Sequence, residues 1–237
     1  MKILMIIPAY NEELNIVNTI NKIEFHNDKS EYKVDYIVIN DGSTDNTKEI
    51  CKKNNFNVIN LVKNLGIGGA VQTGYKYALE NDYDVAIQFD GDGQHDENYI
   101  DVLVQEIANG EDFVIGSRFV KNLSEFKSSS TRRFGIKILS ILIKICTGQK
   151  IYDPTSGFRA ADKKVITLFA SHYPSEYPEP ESTTELIKKG YKVKEVPVEM
   201  HEREFGSSSI KPLKSIYYMF SVCLSIVIVS FSKGVKK

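Results

Sequence analysis

The sequence predicts an α/β fold with a doubly wound, mainly parallel sheet, and three observations support that expectation. Short apolar runs alternate with helical patterns through the first half of the 237 residues. The runs end in polar or glycine-bearing segments, and sheets of this kind bind ligands beyond the carboxyl ends of their strands. The length suits one large domain with a sizeable core, or a domain with an appendage.

The first strand is expected over residues 3–7, an unbroken apolar run leading into Pro8-Ala9-Tyr10-Asn11-Glu12-Glu13 and a helix over 12–23. A second strand over 34–40 reaches Asn40-Asp41-Gly42, followed by a helix over 45–53. Residues 58–61 form a third, before Lys63-Asn64-Leu65-Gly66-Ile67-Gly68-Gly69-Ala70 and a helix over 68–80. The fourth, 85–89, delivers Asp90-Gly91-Asp92-Gly93-Gln94-His95 and precedes a helix over 98–107. A fifth over 113–116 runs into Ser117-Arg118. Right-handed strand–helix–strand units bring the segments after these strands to one edge. The second half is less regular: a serine-rich loop over 124–131, a helix over 132–147, and a stretch punctuated by Pro154, Pro174, Pro178 and Pro180. Helices over 163–170 and 182–189 and a strand over 191–196 complete it, before an apolar run over 216–231 flanked by lysines. No internal repeat or low-complexity tract is present. We divide the chain into a domain over 1–210, with its donor half about 1–120 and its acceptor half about 121–210, and a membrane-associating helix over 211–237.

A formal net charge of −1 argues against a general attraction to nucleic acid. Basic residues are nevertheless concentrated. No acid lies between Glu125 and Asp153, where Lys127, Arg132, Arg133, Lys137, Lys144 and Lys150 fall, and none follows Glu204. Such local excess points to an anionic partner or a membrane face. Cys51, Cys146 and Cys223 are odd in number and widely spaced, which fits neither a disulfide framework nor a zinc site. The apolar run 3–7 is too short for a secretory signal, so the site is expected to face the cytoplasm.

The segment after the fourth strand holds the most chemical information. Asp90 and Asp92 are separated by one glycine, with Gln94 and His95 directly behind. Hard divalent cations take oxygen ligands and bridge carboxylates to phosphates, so Asp90, Asp92 and the Gln94 amide oxygen can hold Mg²⁺ or Mn²⁺ against a diphosphate. A strand-ending turn is the plainer reading of Asp and Gly here. His95 can contact a phosphate or pack the turn. The glycine-rich segment 63–70 lacks both a P-loop ending and a dinucleotide fingerprint, which disfavours ATPase and dehydrogenase activities.

Taken in order, Ile6 to Glu13, Ile39 to Thr47, Lys63 to Ala70, Ile87 to His95 and Asp153-Pro154-Thr155-Ser156-Gly157-Phe158-Arg159 resemble the signature blocks of family 2 inverting glycosyltransferases with the GT-A fold. The nearest likeness is to the branch of dolichyl- and undecaprenyl-phosphate sugar transferases. It covers roughly the first two thirds of the chain strongly and the rest more loosely. The resemblance implies a UDP- or GDP-sugar donor lying along Pro8, Ala9, Tyr10 and Glu12, with Asp41 on the base and Lys63, Gly68, Asp90 and Gly91 near its phosphates. It implies a metal on Asp90, Asp92 and Gln94, with Asp92 catalytic. Glu12 can instead favour a helix N-terminus, Asp41 can be a turn residue, and Lys63 an exposed lysine.

On the acceptor side the resemblance implies a lipid phosphate held by Arg118, Arg132, Arg133 and Arg203, with Asp153 orienting an arginine or the acceptor. Each arginine can alternatively form a surface salt bridge. The block from His201 to Ser208 departs from the family pattern, with Ser209 where a lysine is usual. Glu179 and Glu181 stand where other members have a catalytic acidic pair. A hydroxyl acceptor needs such a base, whereas a phosphate is already ionised. Glu181 can also simply occupy a helix's first turn.

Arg133, Lys137, Ser140 and Lys144 line one side of the helix over 132–147, and the rest is strongly apolar. That fits an interfacial membrane helix, or a core helix with snorkelling lysines. The run 216–231 is short for a span of roughly 20 residues and is expected to lie in the interface. A small integral membrane protein or a second copy could shelter the same surface. The combined expectation is a metal-dependent inverting glycosyltransferase, peripheral or monotopic on the cytoplasmic side of the cell membrane, with polyprenyl phosphate as acceptor. Its alternatives are transfer to a hydroxyl of a lipid-linked glycan in surface polysaccharide assembly, or a catalytically silent nucleotide-binding subunit.

Overall fold

The computed structural model describes residues 1–120, 130–201 and 212–231, with backbone alone at 130 and 212–218. Among them a seven-stranded sheet has the order β3-β2-β1-β4-β6-β5-β7. Its strands are β1 (Ile3–Ala9), β2 (Val34–Asn40), β3 (Val58–Asn60), β4 (Val85–Gln88), β5 (Phe113–Ser117), β6 (Arg159–Asp162) and β7 (Val193–Pro197). All seven residues of β1 are buried, as expected of a strand covered on both faces. Leu4 and Ile6 join one core and Ile3, Met5 and Ile7 the other.

One helical layer holds α1 (Ile16–Lys29), α2 (Thr47–Lys53) and α4 (Ile100–Ala108), the last entered through a 3₁₀ turn at Glu97–Tyr99. The opposite layer holds α3 (Gly66–Glu80), α5 (Ser130–Thr147), α6 (Lys163–Ser171), α7 (Pro178–Lys188) and α8 (Pro212–Phe231). Val222 and Ile226 of α8 enter the same core as α3 and α7.

Three elements differ from the sequence expectation. Strand β6 has no counterpart in it, because Arg159-Ala160-Ala161-Asp162 is short and lacks β-branched residues. It nevertheless runs antiparallel between β4 and β5, its two alanines fully buried. Helix α1 begins later, at Ile16, because Asn11 has φ +57° and the Glu12 N–H bonds the Thr47 hydroxyl. Helix α7 begins earlier, at Pro178, since proline is tolerated in a first turn and Glu179 and Glu181 suit its dipole.

The 132–147 pattern also resolves differently. Ile136, Leu139, Ser140 and Ile143 are buried, so Ser140 belongs to the packed side of α5. Phe134, Ile138, Ile141 and Ile145 form a second apolar face that is exposed, and Arg133, Lys137 and Lys144 are exposed between the two. Among the described residues no helix is long and apolar enough to cross a membrane. The 124–131 loop up to residue 129, the segment 202–211 with Arg203, and the terminal lysines of 232–237 lie outside the described residues.

Candidate active site

The strand ends converge as the alternation of elements predicts. The Asp41 N–H donates to the Ala9 carbonyl at 2.9 Å, and Phe89 N–H to that of Ile6 at 2.9 Å. A Cβ on Gly91 would lie 2.9 Å from the Pro8 carbonyl oxygen. Gly42, at φ +68°, brings the second segment against the third, where a Cβ would lie 2.7 Å from the Asn64 nitrogen. The first and second segments interlock further: Asn11 Oδ1 accepts the Thr44 N–H at 2.8 Å, and Glu13 the Asn46 amide at 2.7 Å. Pro8 and Ala9 are buried while Tyr10 is 47% exposed, so only the tyrosine offers a broad surface to a ligand. The Glu12 carboxylate accepts from Asn15 just ahead of α1.

Asp41 and the glycines do structural work there. Both Asp41 oxygens accept backbone N–H groups at the start of α3, Leu65 at 2.7 Å and Gly66 at 2.9 Å. The α3 N-terminus therefore already holds a carboxylate on two of its N–H groups, those of Leu65 and Gly66. Gly68 is buried under the chain from 174 to 175, where a Cβ would lie 2.1 Å from the Pro174 carbonyl oxygen. It admits the protein's own backbone at the place where sequence suggested a phosphate. Lys63 is exposed.

Asp90 and Asp92 sit beyond the central strand β4 in different environments. Asp92 is 7% exposed, and its carboxylate accepts the Gln94 N–H at 3.1 Å. The Asp90 side chain is 33% exposed and accepts from the Gln88 amide at 3.2 Å. A Cβ on Gly157 would lie 2.5 Å from Asp90 Oδ2, so the glycine leaves the space that this carboxylate fills. The Gln94 Nε2 donates to the His201 carbonyl at 3.3 Å, which turns its amide nitrogen away and leaves Oε1 for a ligand. Two carboxylates and an amide oxygen are a donor set that fits a hard divalent cation. Among the described residues no three His, Cys, Asp or Glu side chains are grouped to hold a metal by themselves.

His95 packs the turn. It is 2% exposed, stacks on Phe158 at 4.9 Å, and its Nδ1 accepts the Asp90 N–H at 3.1 Å. That acceptor role needs an unprotonated Nδ1, and burial lowers the imidazole pKa accordingly.

The acidic pair separates. Burial raises the Glu179 pKa, with the Arg159 charge opposing and the Asp90 carboxylate adding to the rise; Gln88 also reaches it. Glu179 thus belongs to the Asp90 neighbourhood, although the residue keeps some solvent exposure. Glu181 accepts the Ser225 hydroxyl of α8 at 2.8 Å. It fastens the C-terminal helix to α7.

The arginines separate too. Arg118 is 4% exposed and grips Asp153 with Nε and Nη2, both at 2.7 Å, so Asp153 orients this arginine. Glu195 in turn accepts the Tyr152 and Asp153 N–H groups at 2.7 Å each. A guanidinium fork committed in this way supports the loop over 152–157 from within. Arg132 and Arg133 are exposed at the start of α5.

Arg159, Gly157 and Gln88 lie in or beside the quoted signature blocks but were given no role from sequence. Arg159 is fully buried and donates to the carbonyls of Glu179 at 2.9 Å and Pro154 at 3.0 Å, tying α7 to that loop. A polar Gln88 inside an apolar strand was the available signal, since a buried amide requires partners.

A mainly parallel α/β sheet with paired aspartates beyond β4 is compatible with a nucleotide-sugar transferase. Residues 5–169 match the profile of glycosyl transferase family 2, and the chain belongs to that family. It is 35% identical over 225 residues to the UDP-N-acetylglucosamine–dolichyl-phosphate N-acetylglucosaminyltransferase of Methanococcus voltae, covering 86% of this chain and 87% of that relative. It is 28% identical to the polyprenol monophosphomannose synthase of Mycolicibacterium smegmatis, covering 92% and 84%. Among solved structures, glucosyl-3-phosphoglycerate synthase from Mycobacterium tuberculosis, in complex with Mn²⁺, UDP and phosphoglyceric acid, superposes with a TM-score of 0.72. The identity there is 19%, over 97% of this chain and 78% of that one. These likenesses place the chain among glycosyltransferases of the GT-A fold.

Proposed function

We propose that the protein transfers a sugar, with inversion, from a UDP- or GDP-sugar to a polyprenyl phosphate at the cytoplasmic membrane face, using Mg²⁺ or Mn²⁺. The observation that carries this reading is the Asp90–Asp92 pair, displayed beside the Pro8–Tyr10 and Asp41 segments with Gly157 making room for Asp90. Of the two relatives named above, one transfers, by name, to dolichyl phosphate and the other makes polyprenol monophosphomannose.

Asp90, Asp92 and Gln94 Oε1 would hold the cation and leave positions for diphosphate oxygens. A divalent cation there stabilises the charge that develops on the leaving diphosphate. Asp41 fixes the start of α3 and thereby the wall of the nucleoside site. Gln88 orients the Asp90 carboxylate, and Arg159 fixes the first turn of α7 and so the place of Glu179. The acceptor phosphate would approach from the α5 side, where Arg132 and Arg133 are exposed with Lys137 and Lys144 beside the apolar face of Phe134, Ile138, Ile141 and Ile145. That arrangement suits a headgroup layer over acyl chains.

A second reading rests on one observation. Glu179 lies in the electrostatic reach of Asp90 with a raised pKa, a property suited to a general base for a hydroxyl acceptor. Purified protein with Mn²⁺ should therefore be screened with UDP- and GDP-sugars against both polyprenyl phosphate and lipid-linked saccharide. Product on the phosphate alone supports the first reading, and product on the saccharide alone replaces it. A donor that is neither transferred nor hydrolysed under any condition would support a silent subunit.

A further inference from the structure

The Asp90–Asp92 loop is held from behind by a helix that has no other role in the site. Helix α1 is pinned to the sheet by Ile16, Ile20 and Ile23, all fully buried. One turn-spaced pair on it, Thr19 and Lys22, faces the loop. Thr19 Oγ1, fully buried, lies 3.1 Å from the Gly91 carbonyl oxygen and 3.1 Å from that of Asn15, so its one hydrogen is shared between the loop and the start of α1. Lys22 Nζ donates to the Gly93 carbonyl at 2.7 Å and the His95 carbonyl at 3.3 Å. Three alternate carbonyls of one short loop thus point at one helix.

The opposite side of the loop is where the carboxylate chemistry lies. Val85 and Ile87 of β4 pack into the α1 layer, while Ala86 packs into the layer of α3 and α7. Gln88 falls on that second side by alternation and bonds the Asp90 carboxylate, which also abuts Gly157. Pulling the carbonyls toward α1 therefore fixes the rotation that presents Asp90 toward the cleft. Gly93, at φ +75°, has open space for 4 Å around the place a Cβ would take, so no side-chain packing holds the turn there. The Lys22 bond to its carbonyl supplies that restraint.

We propose that Thr19 and Lys22 are positioning residues that preorganise the metal loop, so that removing either weakens cation binding more than it weakens the fold. The proposal rests on the assignment of a divalent cation to Asp90 and Asp92. Groups that orient ligands from outside the coordination shell typically change metal affinity by about 10–100-fold when lost.

The test is Mn²⁺ binding by the full chain, followed through the electron paramagnetic resonance signal of free Mn²⁺ with UDP or GDP present, alongside the thermal melt. Lys22→Met and Thr19→Val should each raise the Mn²⁺ dissociation constant about 10-fold or more, with the melt nearly unchanged. Lys22→Arg, which keeps donors for both carbonyls, should recover most of the affinity. Asp92→Asn should abolish binding and so calibrates the assay. Wild-type protein that binds Mn²⁺ no better than Asp92→Asn would sink the metal assignment, and the clamp with it. Normal Mn²⁺ affinity in both Lys22→Met and Thr19→Val would overturn the clamp and leave the metal assignment standing. Weakened binding that tracks a lowered melt and is not recovered by Lys22→Arg would reduce both residues to ordinary packing.

Discussion

Gly157→Ala is the sharpest probe of the site, because the added atom is small and its neighbour is known. The new Cβ would lie 2.5 Å from Asp90 Oδ2 and 2.9 Å from Oδ1. Ordinary contact between such atoms begins at 3.4 Å, so the carboxylate or its loop must give way by nearly an ångström. Overpacking of this kind costs about 1–3 kcal/mol. A displacement near 1 Å at a catalytic group can cost about 10²-fold in rate, so transfer should fall far more than stability. Gly148→Ala is the matched control. Gly148 has φ +81° with open space around its Cβ position, so alanine there incurs about 1–2 kcal/mol of left-handed strain remote from the carboxylates. The assay is initial rate of sugar transfer beside the thermal melt for both variants. If Gly157→Ala and Gly148→Ala retain equal, near-normal rates, Asp90 does not need the place the structure gives it.

Three further substitutions test separate parts of the reading. Glu179→Gln should lower transfer by about 10²–10⁴-fold if a hydroxyl is the acceptor and far less if a phosphate is, whereas Glu181→Gln should act chiefly on the melt through its bond to Ser225. Equal rate losses in both would contradict their separation. Lys137→Glu with Lys144→Glu should weaken co-sedimentation with anionic vesicles by roughly 30-fold or more, taking about 1 kcal/mol for each basic residue near the surface, and added salt should imitate the change. Unchanged sedimentation would leave the exposed face of α5 without a lipid role. His95 gives a pH signature: its pKa is lowered from 6.5 in the fold, so its contribution to stability is complete above that value and declines as pH falls below it. The wild-type melt should therefore drop between about pH 7 and 5 more steeply than that of His95→Gln, and parallel curves would refute a buried neutral imidazole.

The first half of the chain was legible because one rule covers it. A strand covered on both faces is an apolar run, so β1, β4 and the Ile37–Ile39 part of β2 announce themselves, and the polar residues that end them fall at one sheet edge. Asp90 and Asp92 lie beyond β4, where that rule puts them. Their support was less legible: Gly157 lies in a signature block that does not say what it makes room for, and Thr19 and Lys22 act through backbone carbonyls, a contact that leaves no residue pattern.

Some residue types serve both a ligand and the fold, and sequence does not show the second use. Asp41 caps α3 and Gly68 seats the chain at 174–175. Arg118 holds Asp153 with Nε and Nη2. Glu179 and Glu181 differ only by helical phase. Two positions apart on a helix, they cannot share a face, so once α7 starts at Pro178 one acid must turn to the cleft and the other to α8. That start was hidden by the two prolines, which read as loop in sequence and are first-turn residues in the fold. The same phase ties α8 to the turn that carries Glu179: α8 holds Glu181, Arg159 holds the carbonyl of Glu179, and both grips fall on a single turn of α7. A shift of α8 against its surroundings would therefore be felt first at the turn that places Glu179.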